Sequence, residues 1–526
     1  MRHRENYLNF IGRPLRWVRH AGQTFAAFAL LIVLTACTAP VKPNITAEAQ
    51  PKSEVARMYT KVLGHIHKMY LDELPVDRLA IAGLSGLKKL EADSRIRREN
   101  GRISLLINDT PVGHVTEPTR NDAENWAEAI DELIEAGRQG STKLAAIDIE
   151  TVYKVTIDSL LSDLDRYTRY AGRTEGRRNR ESREGFGGIG VAILRHDDGV
   201  RIERVTPDLP ASRAGIKPGD VFIAVDGTPL QGQSLRRSVR LLRGPLGKPV
   251  QVTVRRENRP DSFVLTISRT RIIPATVQYK IKGKIAYLRM TGFNQDTTKE
   301  LRAGVHKATR ELGPALEGLV LDLRGNPGGL LDQAVSAADL FLHDGRISTT
   351  HGRHPDSLQL FDASDAEIAQ DLPIVVLVNG ASASASEVLA AALQDRGRAV
   401  VVGSSSFGKG TVQTVIRLPN DGELILTWAR LLTPSGYVLN KVGVIPTLCT
   451  SNAKNVIAVI KRAFTGSAPH HQIATTDIES RKALVSRCPW QPHEGEDLDI
   501  TVAKRILEKP ELYQNALRLS APAAGG

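Results

Sequence analysis

The chain is poor in cysteine, with three in 526 residues, and poor in aromatic residues, at 5%. So few cysteines exclude a disulfide-built scaffold, and they leave no zinc-ribbon or ferredoxin pattern to fill. No apolar run reaches the length that spans a bilayer comfortably; the longest, Phe25–Ala36, is too short. The histidines are scattered. His65 and His67 stand two apart on an expected helix and so face different ways, and His470-His471 lies in an expected loop, so no metal site or cofactor is expected. No concentrated Lys/Arg cluster of the nucleic-acid type accompanies the net charge of +12, which speaks against nucleic acid as a partner. What remains is a globular composition, 41% apolar and 24% charged, long enough for three or four domains.

The most informative stretch is 375–415. Ile374–Val378 reads as a buried strand, Asn379–Ser384 as a loop of small residues, and Glu387 to Asp395 as a helix. Ala399–Val402 reads as a second buried strand, followed by the glycine- and serine-rich loop Gly403–Gly410 with its single lysine, Lys409. Both loops then stand at strand ends, where α/β folds place their chemistry. A serine just ahead of a helix lies near unpaired N–H groups that can hold an oxyanion, and a lysine on a separate glycine loop can act as its base. Taken singly, each piece has a plainer reading. Ser384-Ala-Ser-Glu387 fits a helix capping box. Gly403–Lys409 resembles a phosphate-binding loop, but Gly410 replaces the required Ser or Thr and a strand pattern follows where a helix is needed. The residues alone do not choose among Ser382, Ser384 and Ser386.

Together the two loops resemble the carboxyl-terminal processing peptidases, PDZ-containing serine proteases with a Ser–Lys dyad. The resemblance rests on Asn379–Glu387, Ala391–Asp395, Arg398–Ala399, Phe407-Gly-Lys-Gly-Thr-Val-Gln413, Leu321-Asp-Leu-Arg-Gly-Asn-Pro-Gly-Gly329 and Thr433-Pro-Ser-Gly436. It implies Ser384 as nucleophile, Lys409 as general base 25 positions later, and Gln413 as the residue that orients the lysine. It implies an oxyanion hole from the N–H of Ala385 and a second N–H in the Gly328-Gly329 turn. Asp322 and Arg324 are expected to organise their loop rather than to react. The base must be neutral to accept a proton, so burial should lower its pKa.

Gly185-Phe-Gly-Gly-Ile-Gly-Val191 opens a run of short strands to about Arg271 that resembles a PDZ domain, notably in Ala214-Gly215-Ile216, Pro218-Gly219-Asp220-Val221 and Val225-Asp226-Gly227. Its peptide-binding loop is Gly188, Ile189, Gly190 and Val191, whose N–H groups can take a terminal carboxylate. Arg243 matches a family arginine that couples peptide occupancy to the active site.

The expected organisation is an α+β multidomain chain. A lipoprotein signal peptide spans 1–36, a lipidated tether 37–51 and a helical region 52–172, with a basic linker at 173–183 and irregular polar chain at 91–124. A PDZ domain at 185–271 precedes a ββα spiral, crotonase-like protease core at 275–450, and a helical extension completes 451–526. The region ends on Asp163-Leu-Asp165 with Arg166 where the family has proline. Arginines ahead of Phe25–Ala36 and the lipobox-like Leu34-Thr-Ala-Cys37 point to export and to lipid on Cys37. Thr38, by resemblance to Gram-negative lipoproteins, favours the outer membrane, periplasmic side. Cys449 and Cys488 are then left to pair in an oxidising compartment, or to stay as buried thiols. Expected partners are protein or peptide substrates with free C-termini, the membrane through the lipid, and an adaptor or a second copy of the chain. A catalytically silent PDZ scaffold is the alternative reading.

Overall fold

The computed structural model describes residues 52–465, 478–490 and 497–520. The signal-peptide and tether readings, Cys37 and His470-His471 lie outside these residues. At the centre is a six-stranded sheet in the order Val277–Lys282, Ile285–Met290, Gly318–Asp322, Ile374–Val378, Val400–Gly403, Leu448–Cys449. The first pair is antiparallel and the other pairings are parallel. Ile374–Val378 is buried at every residue, as a run of Val, Ile and Leu should be when both sheet faces are covered. One face packs on the helices Thr297–Leu312, Leu331–Asp339 and Ala385–Asp395. The other is covered by the C-terminal extension through Val459, Val502, Ile506, Tyr513 and Ala516. Because the central strands are parallel, Gly318–Asp322, Ile374–Val378 and Val400–Gly403 all end on one side, and their following loops converge there.

A second sheet, Gln359–Asp362, Arg346–His351, Glu423–Leu432, Thr411–Arg417, leans on the first, and Arg169–Ala171 from the N-terminal region pairs with its Glu423–Leu432 strand. The N-terminal helices Glu54–Met69, Val76–Ser85, Ala123–Gly140 and Ile149–Leu160 pack around Tyr59, Leu63, Ile66, Trp126 and Ile157. The stretch 91–124 is not irregular. Residues Ser94–Glu99, Arg102–Ile107 and Thr110–Thr116 form an antiparallel sheet. Two-residue turns join these strands, Asn100-Gly101 and Asn108-Asp109, all four with φ between +48° and +70°. Asn-Gly is a strong hairpin signal; charged residues on the open face obscured the alternation.

The supposed linker at 173–183 is a helix, Arg173–Glu184. It lacks an apolar stripe because its docking is electrostatic. Arg180 (3.2 Å) and Arg183 (2.6 Å) bind the fully buried carboxylate of Glu423. This helix leads into the PDZ sheet, ordered Phe263–Ser268, Pro249–Arg255, Val221–Val225, Gly199–Val205, Val191–His196, with the helix Leu235–Leu242 beside the edge strand Val191–His196.

Cys449 and Cys488 are joined in a disulfide across 39 positions. It ties the helix Ile478–Arg487 to the edge of the central sheet. Cys449→Ser/Cys488→Ser should lose about 2–4 kcal/mol of stability. A denaturant titration of the variant beside wild type, each with and without reductant, checks this; reductant should destabilise wild type alone.

Candidate active site

The three convergent loops bring together residues that are far apart in sequence. Ser384 opens the helix Ala385–Asp395 with φ +57° and ψ −115°, a conformation that costs a non-glycine residue about 1–3 kcal/mol and is usually kept for function. The three candidate serines separate here. The Ser382 hydroxyl is buried and donates to the Leu323 carbonyl (2.8 Å). That of Ser386 is buried and donates to the Asn326 carbonyl (2.9 Å). Ser384 alone is half-exposed.

Glu387, one turn into the helix, joins the two loops. Its side chain is fully buried. One carboxylate oxygen accepts the N–H of Ser384 (2.7 Å) and of Lys409 (2.9 Å). The other accepts the N–H of Gly408 (2.7 Å) and the Ser406 hydroxyl. Burial pushes this carboxyl above its ordinary pKa, while the four donors pull the other way by favouring the ionised form. The sequence showed Glu387 only as the last residue of a capping box. Its link to the lysine loop depends on a fold contact between residues 22 apart.

The Lys409 side chain is half-buried, and Nζ lies over the Tyr167 ring, 5.0 Å from its centroid. Desolvation lowers its pKa below the ordinary 10.5, Arg169 lowers it further, and Glu387 and Asp165 oppose the shift. Lys409 and Ser384 are not hydrogen-bonded through their side chains; such contacts often tighten only when substrate is bound. Gln413 does not touch the lysine either. A register shift in the strand at Val412/Gln413 turns its amide to the hydroxyls of Thr411 (2.9 Å) and Thr427 (3.2 Å). Thr427 in turn donates to Asp165 (3.0 Å), which also holds the Thr168 hydroxyl (2.7 Å). The end of the N-terminal region thus supplies Asp165, Tyr167 and Arg169 around the lysine. The departure from the family at Arg166 hid this stretch, though Leu164-Asp165 was its signal.

The N–H of Ala385, first in the helix, has no acceptor among the described residues and faces Gly328. Of the two glycines read as second donors, Gly328 already gives its N–H to the Asn326 side chain (2.9 Å), which leaves that of Gly329. Gly328 has φ +100°, and a Cβ there would lie 2.7 Å from the Ala383 carbonyl oxygen, 2.9 Å from Ser384 Cβ and 3.0 Å from the Ala385 nitrogen. Gly328→Ala must therefore push the two loops apart, and kcat should fall about a hundredfold, the cost of misplacing reacting groups by about an ångström. Steady-state kinetics on the variant, with a thermal melt to verify folding, checks this.

Arg324 organises the same loop. It pairs with Asp322 (2.8 Å) and reaches Asp497 (2.6 Å) and Asp499 (3.1 Å) of the C-terminal extension. Trp490 packs on Gly380 of the serine loop, and the Ser405 N–H donates to the Cys488 carbonyl (3.1 Å).

In the PDZ domain, Gly188, Ile189, Gly190, Val191 and Ile193 face Leu235, Val239 and Leu242 across an apolar groove of about 240 Å³. Arg243 closes its end. It lies over the Phe186 ring at 3.6 Å and pairs with Glu181 of the Arg173–Glu184 helix (2.6 Å).

A serine with a free helix N–H beside it, a desolvated lysine and a peptide groove define a serine protease that carries its own peptide-binding domain. The Peptidase family S41 model matches residues 284–449, and a PDZ domain model matches 201–256. The chain is 38% identical over 303 residues to the carboxy-terminal-processing protease of Bartonella bacilliformis, covering 57% of this chain and 70% of that one. It is 35% identical over 310 residues to a probable CtpA-like serine protease of Staphylococcus aureus, covering 58% of this chain and 62% of the relative. Among solved structures it is similar to the photosystem II D1 C-terminal processing protease, at 24% identity and a TM-score of 0.38, covering 75% of this chain and 92% of that one. The chain belongs to the carboxy-terminal-processing proteases of peptidase family S41.

Proposed function

We propose that the protein is an exported endopeptidase that captures free C-termini in its PDZ groove and cleaves upstream with a Ser384–Lys409 dyad. The observation that carries the dyad is the single buried carboxylate of Glu387, which accepts the backbone N–H of both residues. Neutral Lys409 takes the Ser384 hydroxyl proton as Oγ bonds the scissile carbonyl carbon. The N–H groups of Ala385 and Gly329 receive the oxyanion. The lysine ammonium returns the proton to the departing amine as the C–N bond breaks, and water then releases the acyl group. Gln413 serves indirectly, by holding Thr427 and through it Asp165 near the lysine. Arg243, joined to the Arg173–Glu184 helix and so to Glu423, offers a route from groove occupancy to the catalytic sheet. The arginine-led apolar segment and the lipobox ending in Cys37 support export and lipid anchoring, and Thr38 after the cysteine supports the outer membrane; envelope proteins are then the substrates, with an adaptor or a second copy as partner.

The test is cleavage of an unfolded protein ending in an apolar residue, offered as free acid and as C-terminal amide to the full chain. The acid should be cut at least about tenfold faster, since the amide removes the charge the groove loop holds. Equal rates would remove the capture step. Cleavage of neither form would favour the silent scaffold.

A further inference from the structure

The basic excess is not spread over the molecule. Residues 185–271 hold 15 Lys and Arg against 8 Asp and Glu, a net +7, whereas residues 37–526 as a whole carry +8 once the +4 of residues 1–36 is set aside. Two of these charges are placed against helix stability. The groove helix Leu235–Leu242 has no acidic residue in its first turn and carries Arg236 and Arg237 there, where the helix dipole disfavours cations. Both are exposed, and neither has an ion pair among the described residues, unlike Arg243, Arg255, Arg256 and Arg269 of the same domain.

Their position relative to the groove gives them a purpose. The C-terminal end of this helix lies at the glycine loop, since the Gly244 N–H donates to the Gly187 carbonyl (3.0 Å). A peptide captured by its carboxylate at Gly188–Val191 adds to the edge strand Val191–His196 and leaves the groove past Ile193 and Leu235. Strand alternation puts Arg195 on the same side as Ile193, one step further out, and it too is exposed and unpaired among the described residues. Of the carboxylates nearby, Asp198 is held by Arg255, which leaves Asp197 as the local negative charge.

We infer that Arg195 and Arg236 form an exit for an acidic segment, so that the preferred substrate ends in apolar residues preceded, about four to seven positions upstream, by Asp or Glu. This rests on the capture reading above. The occupant is a peptide and not an anionic membrane because the two arginines stand on the strand and the helix that wall a groove sized for an apolar strand.

The experiment measures anisotropy of labelled ten-residue peptides on full-length Ser384→Ala protein, so that the probe is not cut. All end in Val-Ala-Leu, preceded by Asp-Asp-Glu-Glu or by Ser-Ser-Gln-Gln, as free acid or amide. The acidic free acid should bind about tenfold tighter than the neutral one at low salt, with the difference shrinking as salt rises. Arg195→Gln/Arg236→Gln should erase that difference and leave the neutral peptide's affinity unchanged, which also reports a folded groove. Amides binding as well as acids would sink the capture reading. Weak amides with equal acidic and neutral acids would overturn the present inference alone. So would peptide affinities that ignore the double variant while its binding to phosphatidylglycerol vesicles, relative to phosphatidylcholine vesicles, is lost.

Discussion

Ser384→Ala and Lys409→Ala should each lower kcat on an unfolded substrate by about three orders of magnitude or more, because in the proposed dyad serine and base act as one unit and either loss removes covalent catalysis. KM should move little, since both residues lie outside the PDZ groove that is proposed to hold the substrate's end. Ser382→Ala and Ser386→Ala set the contrast. Their hydroxyls are buried on backbone carbonyls, so they should lose stability with modest loss of rate. The pH profile adds a sign. Lys409 must be neutral to act, and burial followed by Arg169 lowers its pKa, so the acid limb of kcat/KM should fall below 10.5. Arg169→Gln removes a neighbouring positive charge and should move that limb to higher pH. The same depressed pKa makes the unfolded chain hold more protons between the folded value and 10.5, so stability attributable to Lys409 rises with pH across that window. A rate unchanged in Ser384→Ala would overturn the dyad.

Glu387→Gln should lower kcat about a hundredfold, and Glu387→Ala should cost about 3 kcal/mol or more of stability as well. The amide can keep one oxygen toward Gly408 and Ser406. Its NH₂ would then meet the N–H groups of Ser384 and Lys409, donor against donor, and force the loops apart. Alanine leaves four donors, two buried and two part-buried, without an acceptor. The two readings of this residue separate cleanly. A capping box accepts Gln as well as Glu, so a residue that only caps would tolerate Glu387→Gln. Kinetics and denaturant titration on both variants decide between them.

The PDZ strands, the N-terminal helices and both catalytic loops were legible because their signals are local. Apolar periodicity marks Glu54–Met69, an all-apolar run marks Ile374–Val378, and glycines sit where a loop must turn tightly. Helix Arg173–Glu184 was not legible, since its partner Glu423 lies about 240 positions away and arginines alone read as solvated chain.

Residue types and their order were enough for the class of chemistry: a serine ahead of a helix, a lysine on a glycine loop, and a strand-rich domain opening on a glycine loop. Only the tertiary structure decided which serine is exposed, which glycine N–H is free, and that Glu387 binds both loops at once. It also decided that Gln413 looks away from the lysine and that Tyr167 covers it. The reason is physical. Side-chain type and spacing follow chain order, whereas burial, hydrogen-bond satisfaction and desolvation depend on what distant segments bring to the same place.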